Sequence, residues 1–503
     1  MDVLYASCEM VPLVKVGGLA DVAGALTHAL TDRGHRVRAL LPLYEPVRER
    51  LSAHEMEAIG ELTIEMGDGP VRGRVHRGRL PEHGAELLLL ECARFFDRPD
   101  PYVDPATGRA WPDALLSHTF LCRGVLEVCR ILDWAPEIVH LNDHQTALAA
   151  ALLRGKNAPP ALRQTATLLS IHNLGYQGIF PEDPVASGEV PRLLTEMGIG
   201  EALYRGGGPL AFHGRINLMK AGLQLADLIT TVSPTYAREI QTDELGFGLG
   251  GLLRARADRL VGILNGIDTT RWDPLRDPLI PHNYGPSDFR GKERNKVRLL
   301  ETMHLPPEPR VPLFGIVSRL VDQKGFDLLG EVLESALDVL DLRLVVLGTG
   351  QREHEECLQA LARRFPDRLA VVIGFDEPLA HLIEAGSDFF LMPARYEPCG
   401  LNQMYSLRYG TVPVVHATGG LADTVEEFVV HTGRGNGIVF DAYTPQALRA
   451  AIERALALYR RTRAFKRLVA QIMRIDHSWG RAAEAHEGAY ARARALRTAE
   501  LEG

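Results

Sequence analysis

Several short segments combine the residue types that bind a phosphate, and the first of them begins at Lys15. Lys15, Gly17, Gly18 and Asp21 lie between an apolar run and a segment with helical spacing. Glycines let the backbone approach a ligand closely, and a helix N-terminus presents N–H groups to an anion. Lys15 adds a mobile positive charge, although the same residues could form a flexible loop with a solvated lysine. The spacing is not Gly-x-Gly-x-x-Gly, so the nicotinamide-binding pattern is absent here.

A second pair of cations, Arg319 and Lys324, follows an apolar run in the second half of the chain. Both could point at one site and neutralise a departing diphosphate without a metal ion. Glu397 follows a later apolar run, where its carboxylate could stabilise positive charge on a sugar or bind a sugar hydroxyl. The segment Thr418–Leu421 repeats the pattern of glycines at a helix start and predicts a second anion-binding loop in the same half of the chain. The alternatives are ordinary surface cations and a glutamate that interacts with a helix dipole.

Two residues in the first half, Asp143 and His172, also follow apolar runs. Asp143 could accept a hydrogen bond from a hydroxyl group, and His172 could serve a site or be a buried structural imidazole. His140 and His144 are four residues apart, but a strand followed by a loop would not align them as a helix does. Since no third ligand has suitable spacing, we expect no metal site.

The elements that would position these residues alternate between apolar runs and helical segments. The predicted strands are Val3–Ser7, Val37–Leu43, Glu86–Leu90, Ile138–Leu141, Thr167–Ile171 and Leu228–Val232, then Leu313–Ser318, Arg343–Leu347, Leu369–Ile373, Phe389–Pro393 and Val412–His416. This alternation predicts α/β structure with parallel, doubly wound sheets, in which ligands bind beyond the carboxyl ends of the strands. Two such series predict two domains, with a boundary near Val261–Pro281, where turn-forming Asn-Gly, Asp-Pro and Ile-Pro steps cluster.

Composition restricts the class of protein further. The 503 residues fit two or three domains, and 56 Lys+Arg against 64 Asp+Glu give a net charge of −8. That balance argues against a general binder of nucleic acids or anionic membranes. The six cysteines include no Cys-x-x-Cys pair, which indicates reduced thiols in a cytoplasmic protein. Neither a signal peptide nor an apolar run near the roughly 18 residues of a membrane span is evident.

Taken together, seven blocks in order resemble those of bacterial glycogen synthases and plant starch synthases. They are Lys15–Asp21, His172–Gly178, Thr231–Ala237, Asn265–Asp268, Ser318–Gly325, Glu397–Leu401 and Thr418–Leu421. The resemblance runs from Val3 to about Tyr490. It implies two Rossmann-like domains that face each other across a cleft, the glycosyltransferase B architecture. The implied domains are residues 1–260, residues 261–478 with the nucleotide-sugar site, and a C-terminal helix over 479–503 that returns to the first domain.

The reaction implied by the resemblance moves glucose from ADP-glucose to the non-reducing 4-hydroxyl of an α-1,4-glucan such as glycogen, with retention and without a cofactor. Arg319 and Lys324 would bind the diphosphate, while His172 and Glu397 would lie at the transferring sugar. The other implied substrate contacts are Lys15, Gly17, Gly18, Asp21, Asp143, Asn265, Gly400, Leu401, Thr418, Gly419 and Gly420.

Two other functions fit the same residues. One is a retaining transferase of this architecture that uses UDP-glucose or a different acceptor, because the residue types at the phosphates do not separate adenine from uracil. The other is a non-catalytic glucan-binding regulator. Such a protein would tolerate the loss of Arg319, Lys324 or Glu397, and all three are present. The sequence departs from many relatives at His144, where they have Trp, and at Gly175, where they have another small residue.

Overall fold

Two sheets of mainly parallel strands organise the chain in a computed structural model that describes residues 1–81 and 84–502. Each sheet lies in its own compact unit. Unit 1 contains residues 1–232, residues 237–263 and the helix that begins at Trp479, and unit 2 contains residues 233–236 and 264–478. Gly503, the last residue of the predicted C-terminal segment, lies outside the described residues.

The first part of the chain, up to residue 263, supplies most of unit 1. Its strands are β1 (Asp2–Ala6), β2 (Arg36–Pro42), β3 (Glu57–Met66), β4 (Gly69–Arg79), β5 (Glu86–Glu91), β6 (Val103–Asp104), β7 (Arg109–Ala110), β8 (Ile138–Asn142), β9 (Ala166–Ile171), β10 (Ile179–Phe180), β11 (Ala211–Phe212), β12 (Arg215–Asn217), β13 (Leu228–Thr231) and β14 (Leu260–Gly262). Its helices are α1 (Gly18–Asp32), α2 (Glu45–Arg50), α3 (Ala93–Phe96), α4 (Ala114–Ile131), α5 (Asp143–Arg154), α6 (Val190–Glu196), α7 (Leu218–Leu225), α8 (Pro234–Glu239), whose first turn belongs to unit 2, and α9 (Gly250–Ala255).

The main sheet of unit 1 has the strand order β14-β13-β9-β8-β1-β2-β5-β4-β3. From β1 the chain adds strands in one direction, and from β8 it adds them in the other, so the direction of winding switches between β1 and β8. Strands β3 and β4 pair antiparallel, as do β4 and β5, and the remaining pairs are parallel. The predicted parallel sheet therefore carries an antiparallel hairpin of β3 and β4 at this edge, where the second half of β3 alternates exposed and buried residues.

Unit 2 contains a six-stranded sheet covered by helices. Its strands are β15 (Leu313–Val317), β16 (Arg343–Gly348), β17 (Leu369–Ile373), β18 (Phe389–Met392), β19 (Val412–His416) and β20 (Ile438–Phe440). Its helices are α10 (Arg290–Thr302), α11 (Phe326–Val339), α12 (Arg352–Arg364), α13 (Glu377–Gly386), α14 (Asn402–Tyr409), α15 (Gly419–Thr424), α16 (Pro445–Arg460) and α17 (Thr462–Ile472).

The strand order in unit 2 is β17-β16-β15-β18-β19-β20, and every pair is parallel. The winding direction switches between β15 and β18. These strands are continuous apolar runs because helices cover both faces of a parallel sheet. Ligands bind in the crevice that such a switch opens at the carboxyl ends of the strands.

The last helix, α18 (Trp479–Glu502), packs in unit 1 rather than in the unit that precedes it. Tyr490 is fully buried, and its hydroxyl is 2.8 Å from Nδ1 of His140 on β8. The other ring nitrogen of His140 is 2.7 Å from Ser170 Oγ on β9. A buried hydrogen-bonded network thus joins α18 to the centre of the sheet. No helix in the described ranges is long and apolar enough to span a membrane.

A buried ion pair joins the C-terminal end of α5 to the residue before β13 within unit 1. Asp227 is almost fully buried and accepts hydrogen bonds from Thr167 N–H (2.6 Å), from the Thr167 hydroxyl (2.8 Å) and from the Arg154 guanidinium. Removing one member of such a pair leaves the other charge without compensation in a medium of low dielectric constant.

We expect Asp227→Asn to lower the free energy of unfolding of unit 1 by about 3–5 kcal/mol, because Arg154 then keeps a buried charge without a counterion. Urea unfolding followed by circular dichroism measures the change. The matched control is Glu356→Gln, which removes an exposed partner of Arg352 on α12 and is expected to cause no measurable change. Equal stability of wild type and Asp227→Asn would contradict this account of the pair.

Candidate active site

The carboxyl ends of β15 and β18, where the winding of unit 2 switches, bring Lys324 and Glu397 into direct contact. Lys324 Nζ donates a hydrogen bond to Glu397 Oε2, and the Glu397 side chain is only 7% exposed. Arg319 lies on the same loop as Lys324 and its side chain reaches solvent. These three side chains carry two positive charges and one negative charge, and the net positive charge suits an anionic ligand.

The loop that carries Arg319 and Lys324 is held by close backbone packing. Gly325 has φ +81°, and a Cβ atom there would lie 1.9 Å from the Pro393 carbonyl oxygen, so only glycine fits. Leu320 N–H donates to Thr349 O (3.0 Å). A Cβ on Gly350 would lie 2.3 Å from the Leu320 carbonyl oxygen. Thr349 and Gly350, which follow β16, thus support the loop of Arg319 and Lys324 from the neighbouring strand.

Two glycines at the start of α15 contact the backbone of residues 397–401, which we call the Glu397 segment. Gly419 has φ +43°, and a Cβ there would lie 1.9 Å from the Glu397 carbonyl oxygen. Gly420 N–H donates to that same oxygen at 3.0 Å, and a Cβ on Gly420 would lie 2.0 Å from Cys399 O. Thr418, which precedes them, is the N-cap residue of α15. Gly419 and Gly420 therefore fix the main chain at Glu397. Glycines at a helix start can also bind an anion, and their spacing in the sequence does not distinguish the two roles.

The other residues predicted in unit 2 surround Cys399. Gly400 has φ +71°, and its carbonyl oxygen accepts a hydrogen bond from Gln403 Nε2 (3.0 Å). Leu401 is the N-cap residue of α14. Asn265 hydrogen bonds the Cys399 thiol, whose pKa is raised to about 12 by burial. A thiol in that state is not a nucleophile at neutral pH, and the structure explains Cys399 by packing.

Phe375 belongs to the same edge of the sheet and was not singled out by the sequence analysis. It follows β17 and Gly374, and it is 84% exposed. An aromatic ring that exposed at the carboxyl end of a strand offers a face on which a nucleobase can stack. The signal in the sequence is an aromatic residue placed directly after an apolar run and a glycine.

In unit 1 the Lys15 loop follows β1 and is organised by Glu9. The buried Glu9 carboxylate accepts hydrogen bonds from the N–H groups of Val16 (2.6 Å) and Gly17 (2.7 Å) and from the Tyr102 hydroxyl (2.6 Å). The N–H groups of residues 16 and 17 are therefore paired with an internal carboxylate, and the predicted anion-binding N–H groups are those of the helix that begins at Gly18. Gly18 is exposed at the first position of α1.

Lys15 and Asp21 form an ion pair at the start of α1. Lys15 Nζ lies 2.8 Å from Asp21 Oδ1, and the Lys15 side chain is 43% exposed. Because a surface pair of this kind holds its partners weakly, Lys15 can exchange Asp21 for the phosphate of a ligand. Asp21 thus orients the lysine that the sequence pattern singled out.

His172 follows β9, and its protonation state can be read from its neighbours. Asn142 Nδ2 donates to Ala6 O (2.9 Å), which turns Asn142 Oδ1 towards His172 Nε2 at 2.9 Å. That oxygen can only accept, so Nε2 carries the proton and Nδ1 keeps a lone pair. Burial lowers the pKa of His172 to about 3. The ring is therefore neutral at physiological pH and can accept a hydrogen bond from a hydroxyl group.

Asp143 follows β8 directly as the first residue of α5, and β8 lies between β1 and β9 in the sheet. Its Oδ1 accepts the His172 main-chain N–H at 2.7 Å. Burial raises the pKa of Asp143 to about 7 in spite of that hydrogen bond. The residue has φ +52°, a conformation that Asp and Asn tolerate better than most side chains.

The structure thus collects the predicted residues at the two switch points. Unit 1 carries Lys15, Gly17, Gly18, Asp21, Asp143 and His172 at the carboxyl ends of β1, β8 and β9, and unit 2 carries Asn265, Arg319, Lys324, Glu397, Gly400, Leu401, Thr418, Gly419 and Gly420. His140 belongs to the buried network with Tyr490. Within residues 1–81 and 84–502 no three His, Cys, Asp or Glu side chains form a group that could hold a metal ion.

Comparison with known proteins gives a consistent family assignment. Residues 2–255 match the family model described as starch synthase catalytic domain, and residues 304–468 match the model of glycosyl transferases group 1. The chain is 46% identical to the glycogen synthase of Myxococcus xanthus, over 97% of this chain and 99% of the relative. It is 44% identical to glycogen synthase 1 of Methylococcus capsulatus, over 97% of this chain and 96% of the relative.

A solved structure agrees with this assignment. The catalytic domain of starch synthase IV from Arabidopsis thaliana, bound to ADP and acarbose, superposes with a TM-score of 0.86 and 31% identity, over 98% of this chain and 99% of that chain. The predicted α/β fold of glycosyltransferase B type is therefore confirmed, as is the predicted resemblance to glycogen and starch synthases.

We expect Asp143→Asn to stabilise the protein more at pH 8 than at pH 5. The Asp143 pKa is raised to about 7 in the folded chain from 3.8, so the folded carboxyl keeps a proton that the unfolded one loses between those values. The free energy of unfolding therefore falls as pH rises through that window, and the amide removes the dependence. Melting temperatures at both pH values measure the effect.

The matched control is Asp341→Asn, an exposed residue after α11, for which we expect the same small shift at both pH values. An equal shift of the melting temperature by Asp143→Asn at pH 5 and pH 8 would show that the buried carboxyl is ionised throughout.

Proposed function

This chain belongs to the family of glycogen synthases and starch synthases, and we propose that it transfers glucose from ADP-glucose to the non-reducing 4-hydroxyl of an α-1,4-glucan with retention of configuration. The observation that carries the proposal is the contact between Lys324 and the buried Glu397 at the switch point of unit 2, with Arg319 on the same loop. The names of the relatives support a glycogen product, and the starch synthase solved with ADP supports an adenine nucleotide.

The charges at this site match the charges of glycosyl transfer. Breaking the bond between the sugar and the diphosphate leaves positive charge on the sugar and negative charge on the phosphate. Arg319 and Lys324 stabilise the phosphate, and the loss of one such interaction typically costs about 2.7–4 kcal/mol of transition-state stabilisation. The Glu397 carboxylate binds a hydroxyl of the sugar and faces its developing positive charge.

We propose that attack and departure occur on the same face of the sugar. The bond from the anomeric carbon to the diphosphate oxygen breaks, the acceptor 4-hydroxyl oxygen forms the new bond, and its proton passes to the departing phosphate. His172 does not take that proton in this scheme. Its neutral ring accepts a hydrogen bond from a sugar hydroxyl at Nδ1. A kinetically competent glucosyl adduct on Glu397 would replace this scheme with a double displacement.

The residues of unit 1 are assigned to the same reaction by their chemistry. Lys15 and the N–H group of Gly18 contact the donor phosphates, and Gly17 permits the close approach because it has no side chain. Asp21 orients Lys15, with its carboxylate 2.8 Å from the ammonium. Asp143 accepts a hydrogen bond from a sugar hydroxyl. The six cysteines are free thiols, which fits the cytoplasmic location that we propose.

We expect glycogen-dependent release of ADP from ADP-glucose that persists in EDTA, because Arg319 and Lys324 supply the positive charge at the phosphate. Glu397→Gln is expected to lower kcat about 10²–10³-fold, the usual effect of removing one stabilising group. Coupled nucleotide assays with ADP-glucose and UDP-glucose, with and without glycogen, make the measurement.

The matched control for that assay is Glu356→Gln, an exposed glutamate on α12, which is expected to leave kcat unchanged. A clear preference for UDP-glucose would make UDP-glucose the donor and leave the proposed mechanism unchanged. Absence of release with both donors would overturn the transferase proposal in favour of a binding role.

We expect Phe375→Ala to raise the KM for ADP-glucose about tenfold, in line with the loss of one base–aromatic stacking contact of about 1–3 kcal/mol. The value of kcat should change little, because stacking acts equally on the ground state and the transition state. Phe375→Tyr keeps the ring face and is the matched control. An unchanged KM in Phe375→Ala would show that Phe375 does not stack on the base of the donor.

A further inference from the structure

The block Thr231–Ala237 is a family-like motif that the proposed reaction leaves without a role. Four of its residues, Ser233–Tyr236, belong to unit 2, although they are separated from the rest of that unit in the chain. We call Ser233–Tyr236 the clip. Its contacts lie on the backbone of the Glu397 segment and on α15.

One contact of the clip joins Ser233 to the residue after Glu397. The Ser233 hydroxyl donates to the Pro398 carbonyl oxygen at 2.7 Å and accepts the Tyr236 N–H at 3.1 Å. Ser233 is fully buried, so a competing water molecule does not replace these bonds. The hydroxyl is thereby oriented by the clip itself and fixes the Pro398 peptide.

A second contact joins Thr235 to α15. Asp423 accepts the Thr235 N–H and the Thr235 hydroxyl, each at 2.7 Å, one on each carboxylate oxygen. Asp423 is on the same short helix as Gly420, whose N–H donates to Glu397 O (3.0 Å) and Pro398 O (3.2 Å). The helix that holds the Glu397 backbone is therefore itself held by the clip.

These hydrogen bonds and two stretches of main chain form a closed ring. Hydrogen bonds join Ser233 to Pro398, and Pro398 to Gly420. The main chain of α15 leads on to Asp423, which is hydrogen bonded to Thr235 in the clip. The ring thus restrains the carbonyl groups of Glu397 and Pro398, while the Glu397 side chain contacts Lys324. Because a small misplacement of a reacting group can cost a large factor in rate, a ring that restrains the Glu397 and Pro398 carbonyl groups bears directly on kcat.

We propose that Ser233, Thr235 and Asp423 are positioning residues that hold the Glu397 carboxylate in its catalytic orientation. The proposal rests on the proposed function, because it assigns these residues an effect through Glu397. None of the three needs to touch substrate. Their loss should lower kcat and leave the KM for ADP-glucose almost unchanged.

The deciding experiment is a double-mutant cycle of Ser233→Ala with Glu397→Gln. We expect Ser233→Ala to lower kcat about five- to tenfold in the wild-type background, the effect of one lost hydrogen bond on placement. In the Glu397→Gln background the same change should lower the residual kcat less than about twofold, because the group it positions is gone. Equal losses in both backgrounds would overturn the proposal and leave a purely structural role.

Full activity of Glu397→Gln alone would instead overturn the role of Glu397, so failure of the proposed function is distinguishable from failure of the clip. Ser335→Ala is the matched control, since that hydroxyl also donates to a main-chain carbonyl, Val332 O at 3.0 Å, on α11. It is expected to leave kcat unchanged in both backgrounds.

Two further measurements do not depend on the fate of Ser233→Ala. Thr235→Val removes the hydroxyl at constant shape and should lower kcat, whereas Thr235→Ser should retain it. Alkylation of Cys399 by iodoacetamide, quantified on its peptide, reports opening of the Glu397 segment without any assay of activity. We expect labelling about fivefold faster in Thr235→Val than in Thr235→Ser. Identical rates and identical kcat values for the two variants would overturn the proposal.

Discussion

A carboxylate that is almost removed from water requires a counterion, and in unit 2 Lys324 supplies it to Glu397. The cost of burying an unpaired charge is several kcal/mol, so the loop after β15 and the loop after β18 must meet. They do so because β15 and β18 are neighbouring parallel strands, whose carboxyl ends lie at the same edge of the sheet. The ion pair thus depends on the strand order, which brings the two loops together at the carboxyl edge of the sheet.

Unit 1 stabilises its switch point in a different way, with neutral groups. His172 and His140 keep uncharged rings, because burial lowers their pKa values below the ordinary range. Asn142 and Tyr490 then complete hydrogen bonds that a charged ring would disturb. The contrast suits a reaction in which charge develops at the phosphate, where cations are required, while the sugar hydroxyls need only donors and acceptors.

Much of the fold could be predicted from sequence because a strand buried on both faces is an apolar run. Leu369–Ile373 and Val412–His416 coincide with β17 and β19. The hairpin of β3 and β4 is absent from the prediction because the prediction rests on continuous apolar runs, whereas these strands alternate polar and apolar residues. Most residues of the candidate site could be predicted because glycines and cations that directly follow a strand are visible in the sequence. Glu9 could not be found in that way, since an isolated glutamate gains its role only when folding brings it to the N–H groups of residues 16 and 17.

The position of α18 has a consequence for synthesis on the ribosome. Tyr490 and His486 fill the interior of unit 1 beside β8, yet they are translated after all of unit 2. The core of unit 1 is therefore incomplete in a nascent chain that already contains every residue of unit 2, which ends at Ser478. Unit 1 therefore completes its core only once α18 has been translated, because a chain that stops before Trp479 leaves apolar and imidazole groups uncovered.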